Sequence, residues 1–520
     1  MIIVGPSLYF RGCESDYWKI SALIVIHESD DIPAFAVFSE TLEPFIVDII
    51  QSHQFLRYEI AIPQTNEDQV IPYTVGEQSY ALTVPAKNTY PNIFYTSCNR
   101  YELKEHPEKG GFETNWREVV FDHAKNPIHL GLGGGDQIYS DGVLSIAEQY
   151  IDNPTSKENF QQTVESFYLE TYIHYMTAPY YREMLASVPF LNFTDDHEIF
   201  NGYGSLPTHS HEAFIYKTIF KVAYRFYLLF QHNMTKDEGA QLGYFGKKHE
   251  HAFSTLRHAG PVSILGLDLH GERTQHQMLS KESTDAVFDA LETLPTGCKH
   301  LLVMSSIPFL FCSFQFISKF FNDLDPQTPR AIERGLGSNI LDQWGSDFHL
   351  EERDAFFKRL IKFTKKRFSN NQPVRITFLS GEMHIASAGA LYEKTFIPPQ
   401  YNPLYFVQLT SSGIGSTTAR TKRNYTFVTL ILGLAEHFLS PPTPIKNEPS
   451  MKLNLLYWYK DLLLPMPTHN HFISQRNWLR LYFKQNNMQA ILFAENESCT
   501  LKNRAAPVRY FIDVPGLTQK

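Results

Sequence analysis

The chain has 520 residues, which is too long for one ordinary core, so we expect two or three domains. Hydrophobic residues make up 43% of the chain and charged residues 19%, a composition typical of globular proteins that excludes a disordered one. The formal net charge is −9, with no long basic block, which argues against dedicated nucleic-acid binding.

Residues 1–90 carry short apolar runs that are separated by polar turns. The runs are Ile20–Ile26, Ala34–Phe38, Phe55–Ile62 and Ala81–Val84. Runs of this length and spacing predict β-strands. We therefore expect a small antiparallel β-sandwich at the N-terminal end.

From Asn92 onward the pattern changes to apolar runs that end in small or acidic residues. Helix-compatible stretches such as Asn159–Met184 and Glu351–Phe368 lie between these runs. Strands that alternate with helices predict an α/β core, which we assign to residues 91–440. Ligands of such sheets gather at the carboxyl ends of the strands.

A Pro-rich break at Ser440–Pro444 closes this region. The apolar and aromatic runs Asn477–Phe483, Ala490–Ala494 and Arg509–Val514 follow it. They predict a C-terminal β-containing accessory segment over residues 441–520.

Three further features bear on the compartment. The N-terminal Met1–Pro6 lacks the charged and apolar regions of an export signal. The longest apolar run, Leu301–Phe321, is interrupted by polar residues and predicts a buried strand, not a transmembrane helix. Five scattered cysteines without a C-x-x-C pair argue against a disulfide framework or a zinc ribbon. The expectation is a cytoplasmic protein, with export by an unrecognised route left open.

Four predicted strand ends present side chains that bind metals well. In chain order they offer Cys98, Asn99, Asp136, Tyr139, Asp195, Asp196, His197, Glu382 and His384. A single Asp or His at a strand end is more often a helix cap or a loop residue, and Cys98 alone is more often an inert buried thiol. Four such ends in one α/β region favour a site for two cations, because two neighbouring cations need several anionic ligands and a bridging one.

The order of the motifs carries a resemblance to a known family. The motifs are Ser97-Cys-Asn99, Gly135-Asp-Gln-Ile-Tyr139, Asp195-Asp-His-Glu198, Leu267-Asp-x-x-x-Glu-Arg-Thr274 and Gly381-Glu-Met-His384. This order resembles the PhoD-like (alkaline phosphatase D) branch of the calcineurin-like metallophosphoesterases, from about residue 92 to about residue 440. The N-terminal segment is similar to the sandwich that precedes the catalytic domain in that branch.

The resemblance implies a metallophosphoesterase-type α/β sandwich core. It also implies hydrolysis of phosphate mono- or diesters by a metal-activated hydroxide at a binuclear site. The substrate would be a phosphorylated small molecule or a lipid or nucleotide ester.

The resemblance further implies a ligand set for each cation. One metal, iron in this branch, would be bound by Cys98, Asp136, Tyr139 and His384. Asp136 would bridge to a second divalent cation (calcium, manganese or zinc), which Asp196 and Glu382 would bind. Asp195 would be either a further ligand or a partner of the ligands.

Three residues would act on the substrate. His197 would donate a proton to the leaving group, as an imidazole with a pKa near neutrality can do. Asn99 would hydrogen-bond the phosphoryl group. Arg273 would stabilise developing negative charge, although an ion pair that involves Arg273 and Asp268 is an equally good interpretation.

The chain departs from the family at two positions. Glu382 stands where the family usually has Asp, and His270 stands where it commonly has Arg. These departures keep open the alternative that the protein is a catalytically degenerate family member, which acts as a binding or interaction module. A serine hydrolase is a weaker alternative, because no G-x-S-x-G motif stands at a strand end.

Overall fold

The computed structural model describes residues 1–101, 113–246, 253–310, 342–381, 384–393, 397–415, 426, 451–453, 473–496 and 498–519. The strands are β1 (Ile2–Glu14), β2 (Tyr17–His27), β3 (Phe35–Val37), β4 (Glu40–Leu42), β5 (Phe45–Ile50), β6 (His53–Pro63), β7 (Gln69–Val75), β8 (Gln78–Val84), β9 (Ile93–Thr96), β10 (Leu130–Gly133), β11 (Phe190–Asn192), β12 (Tyr244–Phe245), β13 (Ser254–Ala259), β14 (Val262–Gly266), β15 (His300–Met304), β16 (Arg375–Ser380), β17 (Ser387–Glu393), β18 (Tyr405–Thr410), β19 (Met451–Leu453), β20 (Asn477–Lys484), β21 (Asn487–Ala494) and β22 (Val508–Val514). The helices are α1 (Glu113–Lys125), α2 (Val143–Asp152), α3 (Lys157–Met176), α4 (Pro179–Ser187), α5 (Thr208–His211), α6 (Phe214–His232), α7 (Lys281–Glu292) and α8 (Leu350–Ser369). A 3-10 turn spans Asp196–Glu198.

The first of two large sheets has ten strands in the order β22-β21-β20-β9-β10-β11-β1-β2-β6-β5. Its central strands β9, β10 and β11 are parallel. The N-terminal strand β1 runs parallel to β11, with Tyr9 opposite Phe190. The C-terminal strand β20 runs antiparallel to β9, with Leu479 opposite Tyr95. One hydrogen-bonded sheet therefore joins all three predicted parts of the chain.

The second large sheet has eight strands in the order β12-β13-β14-β15-β16-β18-β17-β19. Strands β14, β15, β16 and β18 are parallel to their neighbours in that series. Each large sheet thus contains a set of parallel strands. The carboxyl ends of these strands are the expected place for a functional site.

The two large sheets share one apolar core. Tyr95 and Leu132 from the first sheet and Ile264 and Leu302 from the second are fully buried in it. Helices α1, α3, α4 and α6 cover the other face of the first sheet. Helices α7 and α8 cover the other face of the second sheet. The predicted α/β sandwich core is confirmed.

The N-terminal strands form a β-unit of two layers. A third sheet, in the order β4-β3-β7-β8, packs on β2 and β6. Phe35 of this sheet stacks on Tyr58 of β6, with 4.7 Å between the ring centroids. The N-terminal antiparallel sandwich thus exists, and its larger layer continues into the ten-stranded sheet. The domain limits after residues 90 and 440 stay a prediction.

The helical stretch predicted over Asn159–Met184 is interrupted in the structure. Helix α3 ends at Met176, and α4 begins at Pro179. Proline lacks the N–H that a helix interior needs but fits the first helical position. Ala178, which precedes it, is extended (φ −60°, ψ 128°) as residues before proline tend to be.

The run predicted as a buried strand over Leu301–Phe321 begins in β15, and its part after residue 310 lies outside the described residues. In the part of the chain that the structure describes, no helix is both long and apolar enough to span a bilayer.

Gly266 allows the two sheets to approach closely near the strand ends. A Cβ atom at this position would lie 1.7 Å from ring carbons of Phe193. We expect Gly266→Ala to destabilise the protein by about 1–3 kcal/mol through overpacking, which a lower Tm in a thermal melt would report. Gly297→Ala is the matched control, because an added Cβ there has nothing within 4 Å. Equal Tm values for the two variants would contradict this packing argument.

Candidate metal centre

The predicted ligands follow parallel strands of both sheets and meet at one end of the sandwich. Cys98 follows β9, Asp136 follows β10 and His384 follows β16. All three adopt the left-handed backbone conformation, with φ values of 54°, 58° and 59°. This conformation costs on the order of 1–3 kcal/mol for a residue other than glycine and concentrates at functional sites. The loops therefore hold these side chains in place against local strain.

The first group of possible metal ligands comprises Cys98, Asp136 and His384. Their ligand atoms all lie within 4.8 Å of one another, and all three residues are buried. The Tyr139 hydroxyl donates to Asp136 Oδ2 at 3.0 Å and lies 2.9 Å from His384 Nε2. The four residues predicted to surround the first cation are therefore in mutual contact.

The second group comprises Asp136, Asp196 and His197, again with ligand atoms within 4.8 Å of one another. Asp196 Oδ2 accepts from the Gly202 N–H at 2.6 Å, and Asp136 Oδ1 accepts from the His197 N–H at 3.3 Å. Asp136 is thus common to both groups. Glu382, the other predicted ligand of the second cation, lies outside the described residues.

Burial dominates the electrostatics of the first group. It raises the pKa values of the Cys98 thiol and the Tyr139 phenol well above their ordinary range, with Asp136 adding to both shifts. Burial, together with the charge of Asp196, raises the pKa of Asp136 to about 6 against the lowering effect of His197. Acidic groups this close together can all be ionised only when a positive charge lies among them. Thiol, phenol, carboxylate and imidazole fit a transition metal.

Asp141 was missed by the sequence reasoning and orients His197. Asp141 Oδ1 lies 2.6 Å from His197 Nδ1 and accepts from the Asn201 N–H at 2.9 Å. Its other oxygen, Oδ2, lies 3.9 Å from Arg100 Nη1. The available signal was an acidic residue two positions after Tyr139, in the same strand-end loop. Because Asp141 holds Nδ1, Nε2 is the ring nitrogen of His197 left for a ligand.

The same contacts set the protonation of His197. Burial alone lowers the pKa of this imidazole. The carboxylates of Asp141, Asp196 and Asp136 outweigh burial and raise the pKa to about 10. The three carboxylates therefore favour the protonated form of the ring.

Glu198 ties the strand-end loops together and was also missed as a functional residue. Its carboxylate accepts from the backbone N–H groups of Asp136, Gln137 and Asp195, and from the Gln231 side chain at 3.1 Å. The residue is fully buried. It is the fourth residue of the Asp-Asp-His-Glu motif, which was the signal available in the sequence. Glu198 thus sets the relative positions of the β10 and β11 loops.

Asn99 is held by two neighbours. Its Nδ2 donates to the Gln137 carbonyl at 3.2 Å, and its Oδ1 accepts from Trp116 Nε1 at 2.8 Å. The second N–H of the amide makes no hydrogen bond to any described residue, so it is left for a ligand.

Arg273 forms an ion pair, but not with Asp268. Its buried guanidinium donates to the Asp342 backbone carbonyl at 2.8 Å and pairs with the Asp342 carboxylate. Asp268 instead accepts from the N–H groups of Phe253 and Gly271, each at 2.9 Å. The ion-pair interpretation therefore applies to Arg273 with a different partner. Its Nε and Nη1 atoms have no hydrogen-bond acceptor among the described residues.

Asp195 belongs to neither group of ligands. Its side chain caps the Asp196–Glu198 turn by accepting from the Glu198 N–H. Its Oδ1 lies 3.5 Å from Nε2 of His270, which follows β14. Burial and the charge of Arg273 hold the pKa of His270 well below its ordinary value.

Comparison with known proteins decides the family. The family model described as PhoD related phosphatase matches residues 70–335, just over half of the chain. The chain belongs to the PhoD-related phosphatase family. The residues that match the family model include the loops of Cys98, Asp136 and Asp196, whereas the Gly381–His384 motif lies beyond them.

A curated relative and a solved structure extend the comparison. The PhoD-related chain is 29% identical over 432 residues to the uncharacterized protein YGR266W of Saccharomyces cerevisiae, covering 71% of this chain and 60% of the relative. It thus spans less than two thirds of that relative's length. Its fold is similar to the structure of PhoD, with a TM-score of 0.55, 13% identity, and coverage of 99% of this chain and 92% of PhoD. At that identity the likeness concerns the fold alone.

Proposed function

We propose that this PhoD-related phosphatase hydrolyses phosphate mono- or diesters at a binuclear metal site. The proposal is carried by the position of Asp136, which belongs to two groups of possible ligands. One group adds Cys98 and His384, and the other adds Asp196 and His197. A carboxylate shared in this way suits two neighbouring cations that together bind a phosphoryl group.

The residues divide between the two cations by their chemistry. The first cation would be held by Cys98, Asp136, Tyr139 and His384. Thiolate and imidazole ligands favour a transition metal, and the family resemblance favours iron among the transition metals. The second would be calcium, manganese or zinc, held by Asp136, Asp196 and Glu382. When bound, the two cations would supply Lewis acidity and make hydroxide available near neutral pH.

The chain's own residues then handle the substrate. Asp141 fixes the Nδ1 side of His197 at 2.6 Å, so the Nε2 side gives a proton to the leaving oxygen. The free N–H of Asn99 donates to a phosphoryl oxygen. Arg273 stabilises negative charge on the phosphoryl group through its N–H groups at Nε and Nη1. These two groups have no hydrogen-bond acceptor among the described residues. The substrate is a phosphorylated small molecule or a lipid or nucleotide ester.

Metal content and a generic substrate screen test this proposal together. We expect close to two tightly bound cations per chain, measured by plasma mass spectrometry, and turnover of aryl phosphate mono- or diesters across a series of metals. Cys98→Ser should lose one cation and at least about 100-fold in activity. It should also lose the thiolate charge-transfer band of the cobalt-substituted protein.

Cys298→Ser is the matched control, because Cys298 is equally buried and donates to the His300 carbonyl at 3.3 Å, away from the ligand groups. It should keep the cations and the activity. Fewer than one bound cation per chain, without activity after reconstitution, would instead favour a binding or interaction module.

A further inference from the structure

Three arginines from three strands meet near the C-terminal end of helix α6. Arg11 lies in β1, Arg57 in β6 and Arg257 in β13. Arg57 and Arg257 are buried, and Arg11 is partly buried. Arg11 Nη2 and Arg57 Nη1 donate to the same oxygen, the carbonyl of Asn233, at 3.2 and 3.1 Å. We call these three residues the arginine cluster, and none of them belongs to the ligand groups of the metal centre.

Arg257 joins the cluster from the eight-stranded sheet. Its Nη2 donates to the Leu242 carbonyl, and its Cζ lies 4.9 Å from the centre of the Tyr244 ring. The Tyr244 hydroxyl lies 2.8 Å from His232 Nδ1, and the His232 carbonyl accepts from Arg11 Nη2 at 2.9 Å. Burial lowers the pKa of Arg257, and the like charge of Arg11 adds to that shift. The guanidinium groups of Arg11 and Arg257 are therefore close enough to repel each other.

The cluster is short of negative charge. Arg57 is paired with two carboxylates, that of Glu238 at 2.6 Å and that of Glu59 at 2.8 Å. Arg11 and Arg257 make no ion pair in the described part of the chain. Their polar partners there are backbone carbonyls and, for Arg257, the Tyr244 phenol. Two neighbouring guanidinium groups without a counter-ion therefore remain.

The cluster also has hydrogen-bond donors to spare. Arg11 Nε, Arg11 Nη1 and Arg257 Nε are buried and have no hydrogen-bond partner among the described residues. A buried donor without a partner is costly, and most of all when it carries charge. A ligand with several acceptor oxygens would satisfy these donors together.

The backbone of β1 is irregular where it carries Arg11. The register of β1 against β2 shifts between Phe10 and Gly12, so Arg11 is the extra residue of a β-bulge. A bulge re-aims the side chain that it carries. Gly12 has a φ of 120°, which favours glycine, and a Cβ atom there would meet only Arg257 Cδ, at 3.8 Å. Room is therefore left between this part of β1 and Arg257.

We propose that Arg11 and Arg257, with Arg57 beside them, bind a phosphate group at a site separate from the metal centre. Guanidinium groups bind phosphate through paired, charge-assisted N–H···O hydrogen bonds. One phosphate dianion would balance the two unpaired charges and accept from the unsatisfied donors. Inorganic phosphate and a phosphate monoester present the same group to the cluster. The site goes beyond the proposed function and does not depend on it.

The competing interpretation is that the cluster only caps the carbonyls at the end of α6. Basic side chains commonly do so near a helix C-terminus. Capping accounts for Arg11 Nη2 and Arg57 Nη1. It does not account for the unsatisfied atoms of Arg11, nor for Arg257, which donates to a carbonyl ten residues beyond that end.

Equilibrium dialysis of the full chain against labelled inorganic phosphate tests the proposal. The metal centre is a second place where phosphate could bind, so the measurement is repeated on Asp136→Asn, whose cations should be weakly held. We expect Asp136→Asn to keep close to one bound phosphate per chain. Adding Arg11→Gln or Arg257→Gln to it should weaken that binding at least about 10-fold, because charge-assisted hydrogen bonds are lost. Arg11→Gln leaves Arg57 on the Asn233 carbonyl, so it tests the site even if the Arg257 variant folds poorly.

Arg367→Gln is the matched control, because Arg367 is also buried and donates to the backbone carbonyls of Leu294, Pro295 and Gln372. It should lower the Tm and leave phosphate binding unchanged. The proposal is overturned if Asp136→Asn binds no phosphate. It is also overturned if both cluster variants lower the Tm as Arg367→Gln does while binding phosphate as their parent does, since the cluster would then only cap α6.

Competition identifies the source of the phosphate group. Displacement of the label by glycerol phosphate would show that the cluster accepts a phosphate monoester. A label displaced by inorganic phosphate alone would show a site for the free ion. Loss of phosphate from the full chain on Asp136→Asn, with the part that depends on Arg11 retained, would support both the cluster and the proposed metal centre.

Discussion

Asp136→Asn should lower turnover by on the order of 10³-fold while leaving the fold intact. Asp136 is common to both groups of ligands, so removal of its charge should weaken the binding of both cations at once. The amide has the same shape and keeps an oxygen that can accept from the His197 N–H, as Oδ1 now does at 3.3 Å. Initial rates with aryl phosphates, bound metal and circular dichroism would be measured on the same preparation.

Asp152→Asn is the control for this charge change, since Asp152 is exposed at the end of α2. It should match wild type in rate, metal content and Tm. Full turnover by Asp136→Asn with both cations retained would contradict the binuclear mechanism.

The second large effect is the loss of activity in His197→Ala, which should depend on the leaving group of the substrate. His197→Ala should lower kcat by about 10²–10⁴-fold for an alkyl phosphate, whose leaving oxygen needs a proton. The loss should be small for a nitrophenyl phosphate, whose leaving group departs without one. Asp141→Asn should show the same dependence to a smaller degree, because it removes the carboxylate that holds His197 Nδ1 at 2.6 Å.

Each variant serves as its own control when the two substrates are compared. Equal losses for the alkyl and nitrophenyl esters would contradict proton donation. They would indicate that His197 acts as a ligand with Asp136 and Asp196, whose ligand atoms lie within 4.8 Å of it. Bound metal measured on His197→Ala distinguishes the two roles directly.

The core strands were predictable because buried parallel strands are continuous apolar runs. β9, β10, β11, β14 and β16 each coincide with a run that ends in small or acidic residues. The pairing of β1 with β11 and of β20 with β9 was not foreseen. Such pairing joins segments far apart in the chain and leaves no local pattern, so the sequence indicated three parts where hydrogen bonds make one sheet.

The side chains of the centre were predictable by chemical type, and their supporting contacts were not. The residue types of Cys98, Asp136 and His384 and their positions after strands predicted metal ligands. Asp141 and Glu198 act through hydrogen bonds to other loops, and a carboxylate in a loop is too common to signal that role alone. The partner of Arg273 was missed for a similar reason, since Asp342 becomes its neighbour only after the chain folds.

The ten-stranded sheet has a consequence for how the protein is made. β9 carries the Cys98 loop at its end, and its outer neighbour is β20. During translation, β9 leaves the ribosome long before Asn477–Lys484 is synthesised. Until then the backbone of β9 is unpaired on that side, and an open strand edge invites association with other chains. Pairing of this edge of β9 therefore waits for the C-terminal strands, and the edge is open to association with other chains until they are made.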